Sequence, residues 1–109
     1  MIAISRFRYD DSDRLAAEAD LVRCLEGLMA CTGYEDGTVA RALDDPSLWV
    51  LETRWDNVGA YRRALSSYDI KMTVVPLLSR ALDEPSAFEV IVGEGATAPN
   101  SARSRGTVT

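Results

Sequence analysis

The sequence predicts an α+β fold of the ferredoxin-like type, in which four antiparallel strands form one sheet and the helices cover one face. Three observations predict it. The chain has 109 residues, which suits a single domain because chains usually divide only at a few hundred residues. Its hydrophobic fraction of 47% is enough for a folded core. Its patterned segments follow the order strand, helix, strand, strand, helix, strand, which is typical of this fold.

The first strand and helix come from the N-terminal third. Residues 2–9 alternate with β-branched and aromatic side chains and contain no glycine or proline, which predicts a strand. Ser12 or Asp13 then caps a helix, and Gly33 ends it. Helical spacing predicts that one apolar face of this helix consists of Leu15, Ala19, Val22, Leu25 and Met29.

The middle of the chain predicts a pair of strands. Residues 33–43 form a weaker strand with a bulge suggested at Gly37. The residues Asp44, Asp45 and Pro46 make a turn into the best strand of the chain, at 48–55. We therefore expect these two strands to be antiparallel neighbours.

A second helix begins after this strand, capped by Asp56 or Asn57. A break is expected near Ser66 and Ser67, followed by a third helical segment through Leu82, with Pro76 either kinking it or starting a fresh first turn. Pro85 closes that segment, and residues 88–92 predict the last strand. At i, i+3, i+7 and i+10, helical spacing predicts one stripe of the second helix, formed by Val58, Tyr61, Leu65 and Tyr68.

The C-terminal segment of the chain differs in composition from the residues before it. Residues 94–109 are rich in Gly, Ala, Thr, Pro, Asn and Ser and show no periodicity, which predicts a disordered tail. The folded domain is therefore expected to span residues 1–93.

Apolar side chains on both sheet faces predict an oligomer. In strand 48–55, Trp49, Leu51 and Trp55 share one face, while Leu48 and Val50 lie on the other. The last strand also carries apolar residues on both faces. Because helices can cover only one face, we expect the second face to pack against another copy, forming a homodimer with the two sheets face to face.

Charge and composition exclude several classes of function. The formal charge of −5 disfavours nucleic acid and anionic membrane surfaces as partners. Histidine is absent, which removes the commonest metal ligand and every Ser-His or Cys-His nucleophile. Cys24 and Cys31 are two helical turns apart, too far for a disulfide, and cannot form a zinc site, so we interpret them as core residues and expect no metal. With no signal peptide and no membrane-spanning apolar run, the sequence predicts a cytoplasmic protein.

Residues 48–61, Leu-Trp-Val-Leu-Glu-Thr-Arg-Trp-Asp-Asn-Val-Gly-Ala-Tyr, carry a resemblance to a known family. Together with Ser-Ser-Tyr-Asp-Ile-Lys at 66–71 and Val-Val-Pro-Leu-Leu-Ser-Arg-Ala-Leu at 74–82, they resemble the antibiotic biosynthesis monooxygenases, which are small dimeric α/β-barrel proteins. The similarity covers residues 2 to about 93, and its most specific element is Trp55 followed six residues later by Tyr61.

The resemblance implies a cofactor-independent monooxygenase. Such an enzyme needs neither metal nor flavin, because an electron-rich aromatic, polyketide-like or quinol substrate reduces O₂ directly while the protein supplies deprotonation, orientation and a dry pocket. The family pattern places Trp55 and Tyr61 at the pocket, where they would stack on a flat ring and hydrogen-bond a substrate hydroxyl or peroxide.

This sequence departs from the family at several positions. Quinone-forming members carry an asparagine four residues before the tryptophan, where this chain has Leu51, and Asn57 comes only after the tryptophan. The histidines of many quinol-acting members correspond to Ala64 and Asp69. Haem-degrading relatives need an axial histidine, so haem degradation is excluded.

The candidate residues follow from this comparison and from the helical stripe. Asp69 is the carboxylate beside the aromatic cluster, where desolvation would suit it to act as a base, and Arg80 is a candidate to hold a phenolate. The candidate catalytic residues are Trp55, Tyr61, Tyr68 and Asp69. The candidate substrate-binding residues are Leu51, Asn57, Leu65, Met72 and Arg80.

Two other functions stay open at the level of sequence. One is a non-oxidative isomerase, cyclase or decarboxylase of an enolisable compound, which would use Asp69 or a tyrosine for proton transfer. The other is a dimer that binds a small molecule without catalysis, in which the aromatic residues are ordinary core and Asp69 is a helix-start charge. Dependence of turnover on O₂ separates the oxygenase from the first of these.

Overall fold

The computed structural model describes residues 1–93, and the predicted tail at 94–109 lies outside them. The predicted α+β, ferredoxin-like fold is confirmed, with helices on one face of a four-stranded antiparallel sheet. The elements in chain order are β1 (Ile2–Arg8), α1 (Arg14–Met29), β2 (Tyr34–Arg41), β3 (Leu48–Trp55), α2 (Val58–Ser66), α3 (Tyr68–Thr73), α4 (Val75–Leu78) and β4 (Ala87–Phe88).

The strands lie in the order β2-β3-β1-β4. The predicted pairing of β2 with β3 is confirmed, but the bulge is at Glu35, between Tyr34 and Asp36, and not at Gly37. Gly37 instead pairs with Thr53. A Cβ atom at Gly37 would lie 2.6 Å from Cδ1 of Leu25, 2.7 Å from Oη of Tyr34 and 3.0 Å from the backbone oxygen of Glu52, so close packing, rather than a bulge, favours glycine there.

The predicted apolar face of α1 was wrong. The residues that α1 buries are Ala17, Leu21, Cys24 and Leu28, whereas Leu15 is 80% and Met29 54% exposed. Both stripes have helical spacing, so periodicity alone cannot choose between them. The stripe with the small residues Ala17 and Cys24 is the one that packs against the sheet. Burial raises the pKa of the Cys24 thiol to about 11, as suits a core residue.

The helices after β3 are shorter than predicted. Asn57 caps α2, and its Oδ1 accepts from the backbone N–H of Ala60 at 2.8 Å. The predicted break at Ser66 and Ser67 is confirmed. The third segment, expected to continue through Leu82, ends at Thr73, and Pro76 lies in the first turn of a separate helix, α4, where its missing N–H costs no hydrogen bond.

Strand β4 covers only Ala87–Phe88 instead of residues 88–92. It pairs with β1 through Ile2 and Ala3. Beyond it, the edge of β1 is held by single backbone hydrogen bonds, from Ile4 N–H to the Ser86 carbonyl and from Leu82 N–H to the Arg6 carbonyl, both at 2.7 Å. Between these bonds the Glu84 N–H donates to the Leu82 carbonyl at 2.9 Å, so it is not used in a ladder with β1.

The two faces of the sheet differ more than predicted. The inner face is apolar and packs against the helices, with Phe7, Trp49 and Trp55 buried. No helix within residues 1–93 covers the outer face, where each apolar side chain of β1 or β3 is paired with a charged side chain on the other strand. The expectation of two apolar faces therefore holds only in part, because β1 adds arginines to the outer face. Its residues on β1 and β3 are Ile2, Ile4, Arg6, Arg8, Leu48, Val50, Glu52 and Arg54.

None of the helices within residues 1–93 is both long and apolar enough to span a bilayer.

Candidate functional site

A cavity of about 470 Å³ lies between β1, α2, α4 and the segment 81–86. Its size suits a small organic molecule. The lining is mixed, because seven of its fourteen residues are apolar and the other seven carry a hydroxyl or a charged group. Leu65, Val75, Leu78 and Leu82 are among the apolar residues, and Ile4 borders the cavity from β1 although its side chain lies on the outer face of the sheet. The polar residues that concern the chemistry are Tyr61, Arg6, Asp83 and Glu84.

Tyr61 is the aromatic residue of this lining. It lies one helical turn before Leu65, so α2 presents both side chains to the same cavity. Burial raises the pKa of the Tyr61 phenol above its ordinary value, and no charge or hydrogen bond from residues 1–93 contributes to that shift. At neutral pH the hydroxyl therefore keeps its proton and is able to donate a hydrogen bond to a molecule in the cavity.

Trp55 lies behind Tyr61 and not in the cavity wall. Its side chain has no exposed surface, and its ring centroid is 5.5 Å from that of Tyr61 at an interplanar angle of 56°. Tyr34 meets it edge-on from another side, with ring centroids 5.6 Å apart. The indole N–H donates to Oγ1 of Thr53 at 2.8 Å. Trp55 therefore contacts Tyr61 and not the cavity, because alternation along β3 turns the indole into the core, and its role in stacking on a substrate ring stays a prediction.

Two other candidates, one in the middle of β3 and one just before α2, have structural roles in the fold. Leu51 is 3% exposed and belongs to the core. Asn57 is engaged in capping α2 and borders a separate cavity of about 450 Å³ beside Phe88. Of the predicted substrate-binding residues, Leu65 is the one that lines the same cavity as Tyr61.

The candidates after the helix break lie away from the cavity. Tyr68 is 76% and Met72 59% exposed. Asp69 lines a different cavity, of about 690 Å³, formed by the end of α1 together with α2 and α3. Arg80 is 3.6 Å from the carboxylate of Asp20, and its guanidinium lies 5.4 Å from the ring centre of Tyr9. The structure therefore does not bring these four residues to Tyr61.

The sequence reasoning missed several residues around the cavity. Arg6 and Glu84 form an ion pair of 3.0 Å at its rim. They are far apart in the chain, and no local pattern indicates that β1 meets the loop after α4. Tyr34 was also missed, although the register of the β2–β3 pair places it directly opposite Trp55. Among residues 1–93, no three His, Cys, Asp or Glu side chains converge as metal ligands.

The carboxyl group of Glu35, at the bulge of β2, lies beside that of Asp56. Burial, followed by a hydrogen bond and charge repulsion from Asp56, raises the pKa of Glu35 to about 7, while the N-terminal ammonium group acts in the opposite direction. Neither carboxylate lines the cavity that contains Tyr61. The pair therefore bears on stability at neutral pH.

Glu35→Gln is expected to flatten the pH dependence of stability. A glutamate ordinarily titrates near 4.3 in an unfolded chain, so the folded state binds this proton more tightly. The stability it contributes is complete below about pH 4.3 and is lost as the pH rises through about 7. At pH 8 we expect Glu35→Gln to be more stable than the parent by about 1 kcal/mol, allowing for solvent screening. Urea unfolding at pH 5 and pH 8 measures this.

The matched control for this prediction is Glu18→Gln, which removes the same charge from an exposed position on α1. A parent whose stability rises between pH 5 and pH 8, or a Glu18→Gln variant that changes the pH dependence as strongly as Glu35→Gln, would contradict it.

Comparison with known proteins finds this fold among solved structures but finds no sequence family. No family model matches the sequence, and no curated protein matches it. Solved structures do match. One is a variant of SnoaB, a cofactor-independent oxygenase from Streptomyces nogalater, with 20% identity, a TM-score of 0.64, and coverage of 74% of this chain and 82% of that one. The chain has the fold of the antibiotic biosynthesis monooxygenases.

Two further structures with the antibiotic biosynthesis monooxygenase fold, both provisionally named for that family, cover more of the chain. The protein from Chloroflexus aurantiacus has 26% identity and a TM-score of 0.62 over 86% of this chain and 95% of its own. The protein from Deinococcus radiodurans has 20% identity and a TM-score of 0.64 over 86% and 98%. These matches establish the fold that the sequence resemblance predicts, and a fold of this kind supports more than one reaction.

Proposed function

We propose that the protein is a cofactor-independent monooxygenase that oxidises an electron-rich aromatic compound, of the quinol or polyketide-like kind, with O₂. The observation that carries the proposal is the position of Tyr61, whose phenol lines a cavity of about 470 Å³ with both apolar and polar walls. The fold is shared with SnoaB, which is described as a cofactor-independent oxygenase.

The reaction needs no reductant other than the substrate. When a ring CH₂ group of an anthrone-like compound becomes a carbonyl, the substrate gives up four electrons, one oxygen atom of O₂ enters the product, and the other leaves as water. Deprotonation makes the substrate electron-rich enough to react with O₂.

Two groups in the lining perform the proton chemistry in this proposal. Tyr61 donates a hydrogen bond to the substrate oxygen or to the peroxide. Asp83 accepts the substrate proton, since it is the lining carboxylate without an ion pair within residues 1–93, whereas Glu84 is paired with Arg6. Asp83 takes the role that the sequence suggested for Asp69, which lies in another cavity.

The proposal is tested by O₂ consumption of the chelator-treated protein over a panel of anthrones, naphthols and hydroquinones. We expect uptake well above the autoxidation of each compound for at least one member of the panel, and incorporation of one labelled atom from ¹⁸O₂ into its product. Product formed equally well under argon would favour a non-oxidative isomerase, cyclase or decarboxylase. Saturable binding with no product would favour a binding protein.

The active form in this proposal is a homodimer. The outer face of the sheet exposes Ile2, Ile4 and Val50 beside charged residues, and no element of residues 1–93 covers it. A second copy packed on this face would bury the apolar side chains and match the arginines with Glu52.

We expect a native mass of twice 11.9 kDa by light scattering at micromolar concentration. Val50→Lys places a charge beside Arg6 on the outer face and should shift the protein to the monomer, because an unpaired buried charge is strongly unfavourable at an interface. Leu43→Lys adds the same charge at a fully exposed position between β2 and β3 and should leave the mass unchanged. A monomeric parent would overturn the prediction.

A further inference from the structure

We propose that Thr53 is a positioning residue for the proposed oxygenase reaction, because its hydroxyl fixes the indole of Trp55, which in turn supports the ring of Tyr61 at the cavity. This inference rests on the proposed function, and it assigns to β3 a role that the family resemblance did not indicate.

Thr53 is the buried polar residue of the core within residues 1–93, at 2% exposure. It lies two residues before Trp55 on β3, so both side chains point toward the helices. The 2.8 Å hydrogen bond from Nε1 of Trp55 to Oγ1 of Thr53 is therefore made between neighbours on one face of one strand.

The chemistry of the pair explains why this position carries a hydroxyl. A buried indole N–H needs an acceptor, since leaving it unpaired costs the full desolvation of the group. The β-branched threonine has few side-chain rotamers. Its hydroxyl therefore offers the acceptor at a defined point, and this point sets the orientation of the indole plane.

The orientation of the indole matters because of what packs against it. Tyr61 lies against the indole at 5.5 Å between ring centres, and Tyr34 contacts it edge-on. The indole of Trp55 therefore lies between Tyr34 of β2 and Tyr61 of α2. Because its N–H is used by Thr53 and its surface is fully covered, Trp55 acts on a substrate only through Tyr61.

The test compares Thr53→Val with Thr53→Ser. Thr53→Val keeps the shape and removes the acceptor, so Tyr61 loses its defined support. We expect kcat for O₂ uptake to fall roughly tenfold with KM nearly unchanged, as is usual when a reacting group is displaced by a fraction of an ångström. Thr53→Ser keeps the acceptor and should restore most of kcat.

A double-mutant cycle identifies the route of the effect. In a Trp55→Phe background there is no indole N–H to hold, so Thr53→Val should cause little further loss of kcat. An equal loss in both backgrounds would overturn the proposal, as would equal activities of Thr53→Val and Thr53→Ser.

A readout that does not need catalysis separates this inference from the proposed function. Ultraviolet titration, with Tyr61→Phe subtracted to isolate one phenol, follows the pKa of Tyr61, which burial raises. In Thr53→Val the Tyr61 ring loses its fixed packing partner and its phenol should become less buried, so its pKa should move back toward its ordinary value. In Thr53→Ser the pKa should stay that of the parent. If the parent consumes no O₂ but this shift is seen, the oxygenase assignment fails and the positioning role stands. An unchanged titration in Thr53→Val overturns the positioning role whatever the activity.

Discussion

Tyr61→Phe is expected to lower O₂-dependent turnover by about 100-fold, the usual scale for loss of a positioned proton donor. The phenylalanine ring keeps the packing against Trp55 and the apolar wall beside Leu65. What it removes is the hydroxyl, the proton donor that we assign to the substrate oxygen or the peroxide. The loss should appear in kcat, measured by O₂ consumption, more than in KM, because the hydrogen bond is strongest when negative charge has developed.

Tyr68→Phe makes the matched control for this prediction. It removes the same hydroxyl from a residue of the predicted stripe that the structure leaves 76% exposed. We expect turnover close to that of the parent. A Tyr61→Phe variant as active as Tyr68→Phe would remove Tyr61 from the mechanism and favour a binding role for the cavity.

The backbone at Ser67 explains why the sequence placed Tyr68 with Tyr61. The stripe from Val58 to Tyr68 assumes one continuous helix, but Ser67 has extended torsion angles, φ −70° and ψ 151°. Helical spacing does not carry across such a residue. The break was predicted, and its consequence for the faces of α2 and α3 was not, so Tyr68, Asp69 and Met72 were assigned to a surface they do not share.

Strand β3 was predictable in full because its alternation is reinforced by a turn before it and a cap after it. The same rules failed for α1, where two apolar stripes compete and only packing against the sheet selects one. The same rules did not predict the cavity rim, because Arg6 and Glu84 are brought together only by the folded chain, in which β1 lies beside the segment after α4. Tyr61 was found through the family resemblance, because an aromatic residue in a helical stripe is ordinarily core.

Gly33 connects α1 to β2 beneath the start of α2, and Gly33→Ala is expected to destabilise the fold by about 3 kcal/mol. Its φ of +90° is a left-handed conformation that costs an alanine roughly 1–2 kcal/mol. The new Cβ would lie 2.5 Å from Cβ of Ala60, and overpacking of this kind adds about 1–3 kcal/mol. Urea unfolding measures the loss. Because Ala60 precedes Tyr61 on α2, O₂ uptake should fall as well.

Gly59→Ala is the matched control for Gly33→Ala. Its added Cβ would lie 3.2 Å from Nη1 of Arg63, the end of a flexible side chain, and 3.3 Å from Oδ1 of Asn57, so both contacts require only small shifts. The position is helical, where alanine is favoured over glycine by about 1 kcal/mol, so we expect a stability equal to or above that of the parent. Combining Gly33→Ala with Ala60→Gly removes the Cβ contact and should recover the overpacking part of the loss, leaving the cost of the left-handed backbone and about 1 kcal/mol for a glycine within α2. If Gly33→Ala were no more destabilising than Gly59→Ala, the close approach between the α1–β2 connection and α2 would be wrong, and with it the placement of Tyr61.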